Sequence, residues 1–134
     1  MVLYESKLLV LTYDASTDVL SLEWPDVREF IMPEMEKEVT ILIDTIIHYD
    51  IKKLVVDTSH ASIQVNDAQY QEFLIAFATR LTHTRLQKFA RIITAEPEKE
   101  TQINTAKETT HIAQLIDCRS FSTMEEAKSW LNAA

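Results

Sequence analysis

The sequence predicts an α/β domain whose sheet is mixed and mostly parallel, with an N-terminal antiparallel hairpin and about four helices. Two observations carry this prediction. Two short strand-type runs, separated by a turn-rich segment, open the chain. After them, apolar strand-type runs alternate with longer segments whose apolar residues recur every three or four positions. Strand–helix alternation implies crossover connections and parallel strands, so the predicted order is β-β-α-β-α-β-α-β-α.

The hairpin is predicted from residues 7–13 and 19–24, which are rich in strand-forming side chains. Residues 14–18 between them are Asp-Ala-Ser-Thr-Asp, a composition typical of a turn. In the second run apolar and polar residues alternate up to Trp24, so one face is expected to be buried.

The middle of the chain predicts a helix over residues 33–48, a central strand over 53–57 and a second helix over 66–83. The first helix begins with Pro33, which suits a first helical turn. The central strand is apolar on both faces and ends in an acid. The second helix opens with Asn66 and has a capping-box spacing.

The last third of the chain predicts a strand over 89–95, a weaker helix over 98–113, a short strand over 115–121 and a closing helix over 123–132. Threonines lower the helix propensity of residues 98–113. Ser122 and Glu125 have the capping-box spacing for the closing helix. We expect a single domain over residues 1–134 because no linker or repeat interrupts the chain.

The chain contains no glycine, although average usage is about 7%. Glycine is required where the backbone lies against a phosphate or makes a strained turn. The absence therefore excludes the phosphate-binding P-loop, the dinucleotide fingerprint and the glycine-flanked serine elbow. We expect no cofactor and no enzymatic activity.

Cys118 is the only cysteine, so the chain can form no intramolecular disulfide and no cysteine-based zinc site. The four histidines are scattered and predict no metal site. The N-terminal residues lack a signal-peptide pattern, and no apolar run approaches about 20 residues. We expect a cytoplasmic protein that does not insert into membranes.

The net charge of −8 argues against a nucleic-acid partner, which needs a positive surface. Acidic residues dominate positions 26–50, whereas only basic charges occur in the segment from Arg80 to Arg91. Two interpretations stay open for this contrast. The charges are solvated helix faces, or they form complementary surfaces in an oligomer or with an acidic partner.

Three segments carry a resemblance to a known family. Leu54-Val55-Val56-Asp57 resembles a strand that ends in an acid, and residues 66–81 resemble the helix that follows it. Residues 121–131 resemble the closing segment of a small stand-alone group, an aromatic residue followed by a Glu-Ala and Trp-Leu helix. On these segments the chain resembles the STAS domains, and within them the SpoIIAA-like group, which is related in fold to CRAL-TRIO lipid-transfer domains. The resemblance implies a SpoIIAA-like fold.

In regulatory STAS proteins an Asp-Ser-Ser-Gly type motif opens this helix, and a kinase phosphorylates one of its serines. The matching stretch here is Val65-Asn66-Asp67-Ala68, which has no hydroxyl. Asp67 lies near the acceptor position, either as a mimic of phosphoserine or as a first-turn acid that stabilises the helix dipole. The resemblance therefore implies a non-enzymatic regulatory or protein-interaction module, with a protein partner and a homodimer, that lacks the phosphorylatable serine.

The candidate ligand- or partner-binding residues are Asp57, Ser59, His60, Asn66 and Asp67. They follow a predicted central strand, and open α/β sheets bind ligands at the carboxyl ends of their strands. Two alternatives stay open for the first three. They form a hydrogen-bond cluster that stabilises the loop, or they form a Ser-His-Asp hydrolase site that uses His60.

A stripe of aromatic residues, Tyr70, Phe73 and Phe77, repeats at helical spacing. It is interpreted either as core packing or as one wall of an apolar pocket like that of the lipid-transfer relatives. The second interpretation gives an alternative function, a carrier or sensor of a small apolar ligand such as a lipid or fatty acid. A small hydrolase is the third and weaker alternative.

Overall fold

The computed structural model describes residues 1–133 and confirms the α/β fold. Within these residues the chain forms a mixed six-stranded sheet, a separate two-stranded ladder and four helices. The strands are β1 (Val2–Glu5), β2 (Val10–Asp14), β3 (Val19–Glu23), β4 (Val27–Arg28), β5 (Lys53–Asp57), β6 (Ile63–Gln64), β7 (Lys88–Ile92) and β8 (Asp117–Phe121). The helices are α1 (Met32–His48), α2 (Asp67–Leu81), α3 (Pro97–Thr110) and α4 (Met124–Leu131).

The strands of the main sheet lie in the order β1-β2-β3-β5-β7-β8, so their order in space follows their order along the chain. The first three strands pair antiparallel, and β3, β5, β7 and β8 pair parallel. The predicted hairpin is β2 and β3, and each later strand is reached through one helix. The predicted topology is therefore confirmed.

Two features of the sheet were not predicted. The first is β1, an edge strand that precedes the hairpin. The predicted strand over 7–13 starts only at Val10, because the chain turns at Ser6, whose Oγ accepts hydrogen bonds from the backbone N–H groups of Leu8 and Leu9 at 3.1 Å. The second is the parallel ladder of β4 and β6, which joins the loops that follow β3 and β5. Each of its strands has two residues, too few for a periodic pattern.

The layering follows from the strand order. Right-handed crossovers between strands that always step in one direction place every connecting helix on one face of the sheet. α1, α2 and α3 accordingly cover one face, and the larger core lies beneath them. Only α4 covers the other face, where a smaller core joins it to the sheet through Val19, Val55, Ala90, Ile92, Ala127 and Leu131.

N-caps were predicted for α2 and α4, and the structure agrees with the prediction for α2. Asn66 caps α2, because its Oδ1 accepts the Gln69 backbone N–H at 3.2 Å as predicted. The predicted cap Ser122 is wrong by one residue. Thr123 caps α4 instead, its Oγ1 accepting the Glu126 N–H at 3.2 Å. None of the helices within residues 1–133 combines the length and the apolar character that crossing a bilayer requires.

Candidate functional site

A cavity of about 100 Å³ lies between α2, α3 and the sheet. Most of its lining is apolar, from Trp24, Val56, Leu74, Phe77, Ala78, Leu81, Phe89, Ile103, Ala106 and Ile112. Protein interiors are close-packed and leave few voids larger than a water molecule. A lined space of this size between two layers is therefore the candidate site.

Strand and helix periodicity place these side chains. Successive strand residues point to opposite faces of the sheet, so Val56 of β5, Phe89 and Arg91 of β7, and Cys118 of β8 share the face beneath α2 and α3. Along α2, lining residues recur at helical spacing from Tyr70 to Leu81.

The predicted aromatic stripe divides between wall and core. Tyr70 and Phe77 line the cavity, whereas Phe73 packs behind it against Trp24 and Tyr70, at ring-centroid distances of 6.1 and 5.9 Å. Trp24 stacks on Phe77 at 5.7 Å. The pocket-wall interpretation therefore applies to Tyr70 and Phe77, and the core-packing interpretation applies to Phe73.

Tyr70 carries the polar group deepest in this wall and is only 3% exposed. Its Oη accepts a hydrogen bond from Trp24 Nε1 at 3.1 Å. Burial raises the pKa of Tyr70 to about 12, so its hydroxyl keeps its proton at neutral pH. Within residues 1–133 that hydroxyl donates no hydrogen bond, and Tyr70 lines the cavity.

Arg91 is a buried charged side chain in the cavity wall. Its guanidinium forms a bidentate pair with Glu100 of α3, with Nη1–Oε2 at 2.7 Å and Nη2 bonded to Oε1. The same two nitrogens donate to the hydroxyls of Thr58 and Ser120, each at 3.3 Å. Four of the five guanidinium N–H groups are therefore used, and the Nε–H has no acceptor within residues 1–133.

The pair with Arg91 changes the acidity of Glu100. Partial burial alone would raise the pKa of Glu100, but the hydrogen bonds from Arg91 and from the Thr94 N–H outweigh it and leave the pKa lowered. Glu100 is thus ionised at neutral pH. The ion pair ties α3 to β7 at the cavity.

α3 is attached to α2 mainly by polar contacts. Its only fully buried residues are Lys99 and Ala106. Lys99 Nζ lies 3.4 Å from Asp67 Oδ1 and 5.7 Å from the centre of the Tyr70 ring. Two hydrogen bonds from side-chain amides add to these contacts. Gln102 Nε2 donates to the Asp67 carbonyl and Gln71 Nε2 donates to the Gln102 carbonyl, both at 2.9 Å. One wall of the cavity is therefore a helix held by hydrogen bonds and charges.

Among residues 1–133, the charged side chains that line the cavity are all basic: Arg91, Lys107 and Arg119. Lys107 of α3 is half-buried and forms no ion pair within residues 1–133. Arg119 borders the cavity, but its guanidinium lies 5.1 Å from the Trp130 ring and pairs with Asp117 at 3.5 Å. Lys107 thus supplies the unbalanced positive charge of the wall.

Cys118 is half-buried in the same wall. Burial raises the pKa of its thiol, and the nearby charge of Lys107 only partly offsets this effect. The thiol is therefore protonated at neutral pH and weakly nucleophilic. As the only cysteine of the chain, it is a single chemical reporter inside the cavity.

The predicted residues Asp57, Ser59 and His60 form a turn outside the cavity. Asp57 Oδ1 accepts hydrogen bonds from the Ser59 N–H at 2.9 Å and from Ser59 Oγ at 2.6 Å. His60 is exposed and has no hydrogen-bond partner for its ring within residues 1–133. A hydrolase needs its serine hydroxyl bonded to the histidine, so this arrangement favours the loop-stabilising interpretation.

The predicted residues Asn66 and Asp67 lie at the start of α2 and likewise outside the cavity lining. Asn66 caps the helix, and its backbone N–H donates to Glu29 Oε1 at 3.1 Å. Asp67 forms an ion pair with Lys99, so its carboxylate links α2 to α3. Binding of a ligand or partner by these five residues stays a prediction.

Sequence reasoning placed the site at the carboxyl edge of the sheet, whereas the cavity lies between the layers. The edge rule applies where the strand order reverses and a crevice opens, and the order here never reverses. The lining residue Thr58 sits between the predicted Asp57 and Ser59. Strand alternation is the signal that could have identified Arg91 as a charge pointing under the helices.

The basic segment of the sequence makes contacts within the chain. Arg80 Nη1 donates to Thr40 Oγ1 at 3.0 Å, and Arg85 lies 3.4 Å from Asp50. Arg85 is thus paired within the chain with the acid that follows α1. Complementary surfaces in an oligomer or with an acidic partner stay a prediction. Nowhere in residues 1–133 do three or more His, Cys, Asp or Glu side chains gather into a group able to hold a metal ion.

No known protein-family model matches the chain, and a comparison with curated proteins gives no match. Membership of the SpoIIAA-like group therefore stays a prediction from the resemblance.

Proposed function

We propose that the protein is a non-enzymatic domain that binds a small apolar molecule in the cavity between α2, α3 and the sheet. The observation that carries this proposal is the apolar lining of a space that the side chains leave unfilled. The apolar walls of the cavity offer water no hydrogen bonds, so an apolar guest that lies against them displaces no strongly bound water. An engineered apolar cavity of about 150 Å³ binds benzene.

The volume favours a short ligand. At about 100 Å³ the cavity is smaller than the pockets of about 300–1,000 Å³ that hold drug-sized ligands. A single ring or a chain of about six carbons matches the space, with one end at the opening. A long-chain fatty acid fits only if α3 moves away from α2.

The test uses hexanol as the probe and Cys118 as the reporter. We expect hexanol to slow the reaction of Cys118 with a thiol reagent, because Cys118 lines the cavity that hexanol would fill. Ala78→Leu fills the cavity from α2 and should abolish the protection. Ala76→Leu adds the same side chain to an exposed site on the same helix and should preserve it. If Cys118 of the unmodified protein reacts with the thiol reagent at the same rate with and without hexanol, the proposal is refuted.

A protein-interaction role is the second candidate, and one observation favours it. Phe30 is 79% exposed beside Glu29, which contacts the start of α2. In the resemblance to STAS domains, this helix start corresponds to the one that is phosphorylated in the regulatory members. Exposed aromatic residues are also common interface anchors. A homodimer, a protein partner and a cytoplasmic location stay proposals. Native mass spectrometry before and after organic extraction would report the subunit number and any bound molecule together, and a monomer would exclude the homodimer.

A further inference from the structure

We propose that the natural ligand of the cavity is a small organic monoanion, a carboxylate on a short apolar body, whose carboxylate is held by Arg91, Tyr70 and Lys107. This inference rests on the proposed binding function and names its ligand class. Three independent features support it: an unused guanidinium donor, an unused hydroxyl donor and one unbalanced positive charge.

The guanidinium donor belongs to Arg91. The residue is 8% exposed, and Glu100, Thr58 and Ser120 account for four of its N–H groups. Its Nε–H is unpartnered but not fully buried, since Glu38 Oε2 is the one fully buried side-chain polar atom without a partner within residues 1–133, so solvent or a ligand can reach the Nε–H. Because Arg91 lines the cavity, an acceptor oxygen of the ligand can supply the missing partner.

The hydroxyl donor belongs to Tyr70. Its oxygen already accepts the Trp24 indole N–H, so its remaining capacity in the cavity is to donate its proton. The charge of Arg91 acts on the same hydroxyl. The two residues that carry these donors, one on β7 and one on α2, line the same small cavity. A carboxylate, which has two acceptor oxygens, can satisfy both.

The charge balance favours an anion over a neutral acceptor. Glu100 neutralises Arg91, and Arg119 is directed to Trp130 and Asp117. Lys107 then leaves the lining with one excess positive charge, and none of the acidic side chains within residues 1–133 lines the cavity. A second anionic group on the ligand would have no counter-charge. The arrangement therefore selects a monoanion.

Hexanoate and hexanol form a matched pair of probes, since they share a body and differ in the charged end. At constant ionic strength, the unmodified protein is expected to bind hexanoate about tenfold more tightly than hexanol, as a charge-assisted hydrogen bond is about twice as strong as a neutral one. Calorimetry or Cys118 protection measures both affinities.

The variants assign the preference to the cavity. Lys107→Gln should weaken hexanoate binding about five- to tenfold and leave hexanol binding unchanged, because it removes only the excess charge. Lys37→Gln, an equal charge change at an exposed site on α1, should alter neither affinity. Tyr70→Phe should also weaken the binding of hexanoate more than the binding of hexanol.

The outcomes separate the two proposals. Equal binding of hexanol and hexanoate, or equal weakening of both by Lys107→Gln, would overturn the monoanion inference and leave the cavity function intact. Failure of both probes to bind would overturn both.

Discussion

At the scale of single residues, three positions within residues 1–133 have a positive φ although the chain contains no glycine: Asp18 at 58°, Asp50 at 52° and His111 at 53°. The left-handed conformation costs an ordinary L-residue about 1–2 kcal/mol. Asp18 offsets this cost, because its carboxylate accepts hydrogen bonds from Tyr13 Oη at 2.7 Å and from the Lys52 N–H at 3.2 Å. His111 ends α3, and its exposed side chain forms no hydrogen bond within residues 1–133.

His111→Gly is therefore expected to stabilise the protein by about 0.5–1 kcal/mol, since glycine takes the left-handed helix end without Cβ crowding. Calorimetry should show a Tm higher by about 2–4 °C. Asp18→Gly is the contrasting variant at the same φ and should destabilise by about 1 kcal/mol, because it removes two hydrogen bonds. A lower Tm for His111→Gly would contradict this account.

The residue scale also shows where sequence reasoning reaches its limit. Two capping boxes overlap at the start of α4, Ser122 with Glu125 and Thr123 with Glu126. Local propensity does not separate them, because both offer a hydroxyl followed three residues later by a carboxylate. The choice of Thr123 is made by tertiary structure. Asn66 had no such competitor, and its cap was predicted correctly.

At the scale of elements, α3 differs from its neighbours in how it is held. α1 and α2 bury continuous apolar stripes, whereas α3 buries little besides Lys99 and Ala106. Its anchors are the Arg91–Glu100 pair and the Lys99–Asp67 contact. The threonine-rich sequence predicted a weaker helix, but its polar anchors involve partners on β7 and α2 that no local pattern reveals.

Glu100→Gln tests the main anchor. At pH 7 it should lower the free energy of unfolding by about 1–2 kcal/mol, because the charge-assisted pair with Arg91 is lost. The folded pKa of Glu100 is lowered, so its stabilising contribution is present above the unfolded carboxyl pKa and lost as the pH falls through the folded value.

The difference in the free energy of unfolding between the unmodified protein and Glu100→Gln should therefore shrink as the pH falls below about 4. Urea titrations from pH 7 to pH 3 measure it. Glu108→Gln, at an exposed position of the same helix, is the control and should match the unmodified protein throughout. A difference that stays constant with pH would show that the ionised pair is not its source.

At the scale of the whole molecule, the sheet separates two cores of unequal size, and each contains one tryptophan. Trp24 is buried in the larger core. Trp130 packs against the smaller core, and the centre of its ring lies 5.0 Å from Lys88 Nζ and 5.1 Å from Arg119 Cζ. Lys88 also donates to the Trp130 carbonyl at 3.2 Å, at the carboxyl end of α4.

Because α4 is short and its core is small, we expect it to detach before the rest unfolds. Trp24→Phe leaves only Trp130 as a reporter, and Trp130→Phe leaves only Trp24. In urea, the emission of Trp130 should shift to the red at a lower concentration than that of Trp24. Coincident transitions would instead mean that both faces unfold as one unit.

The whole molecule also explains what the sequence could predict. Periodicity reports which face of an element is buried, and this was sufficient for the α/β class, the parallel strands and the position of each helix. The cavity depends on how tightly two layers meet, and side-chain volumes along one strand or helix do not determine that. Arg91 and Lys107 become a site only when β7 and α3 are brought together.

The strand order has a consequence for how the chain is made. Synthesis delivers the strands of the main sheet in the order in which they lie side by side. Each strand that leaves the ribosome therefore finds its neighbour already released, across a short turn for β2 and β3 and across one α-helix for β5, β7 and β8. The sheet can grow from one edge without waiting for a later segment to insert. α4 follows β8 along the chain, so it covers the second face of a sheet whose strands have all been released.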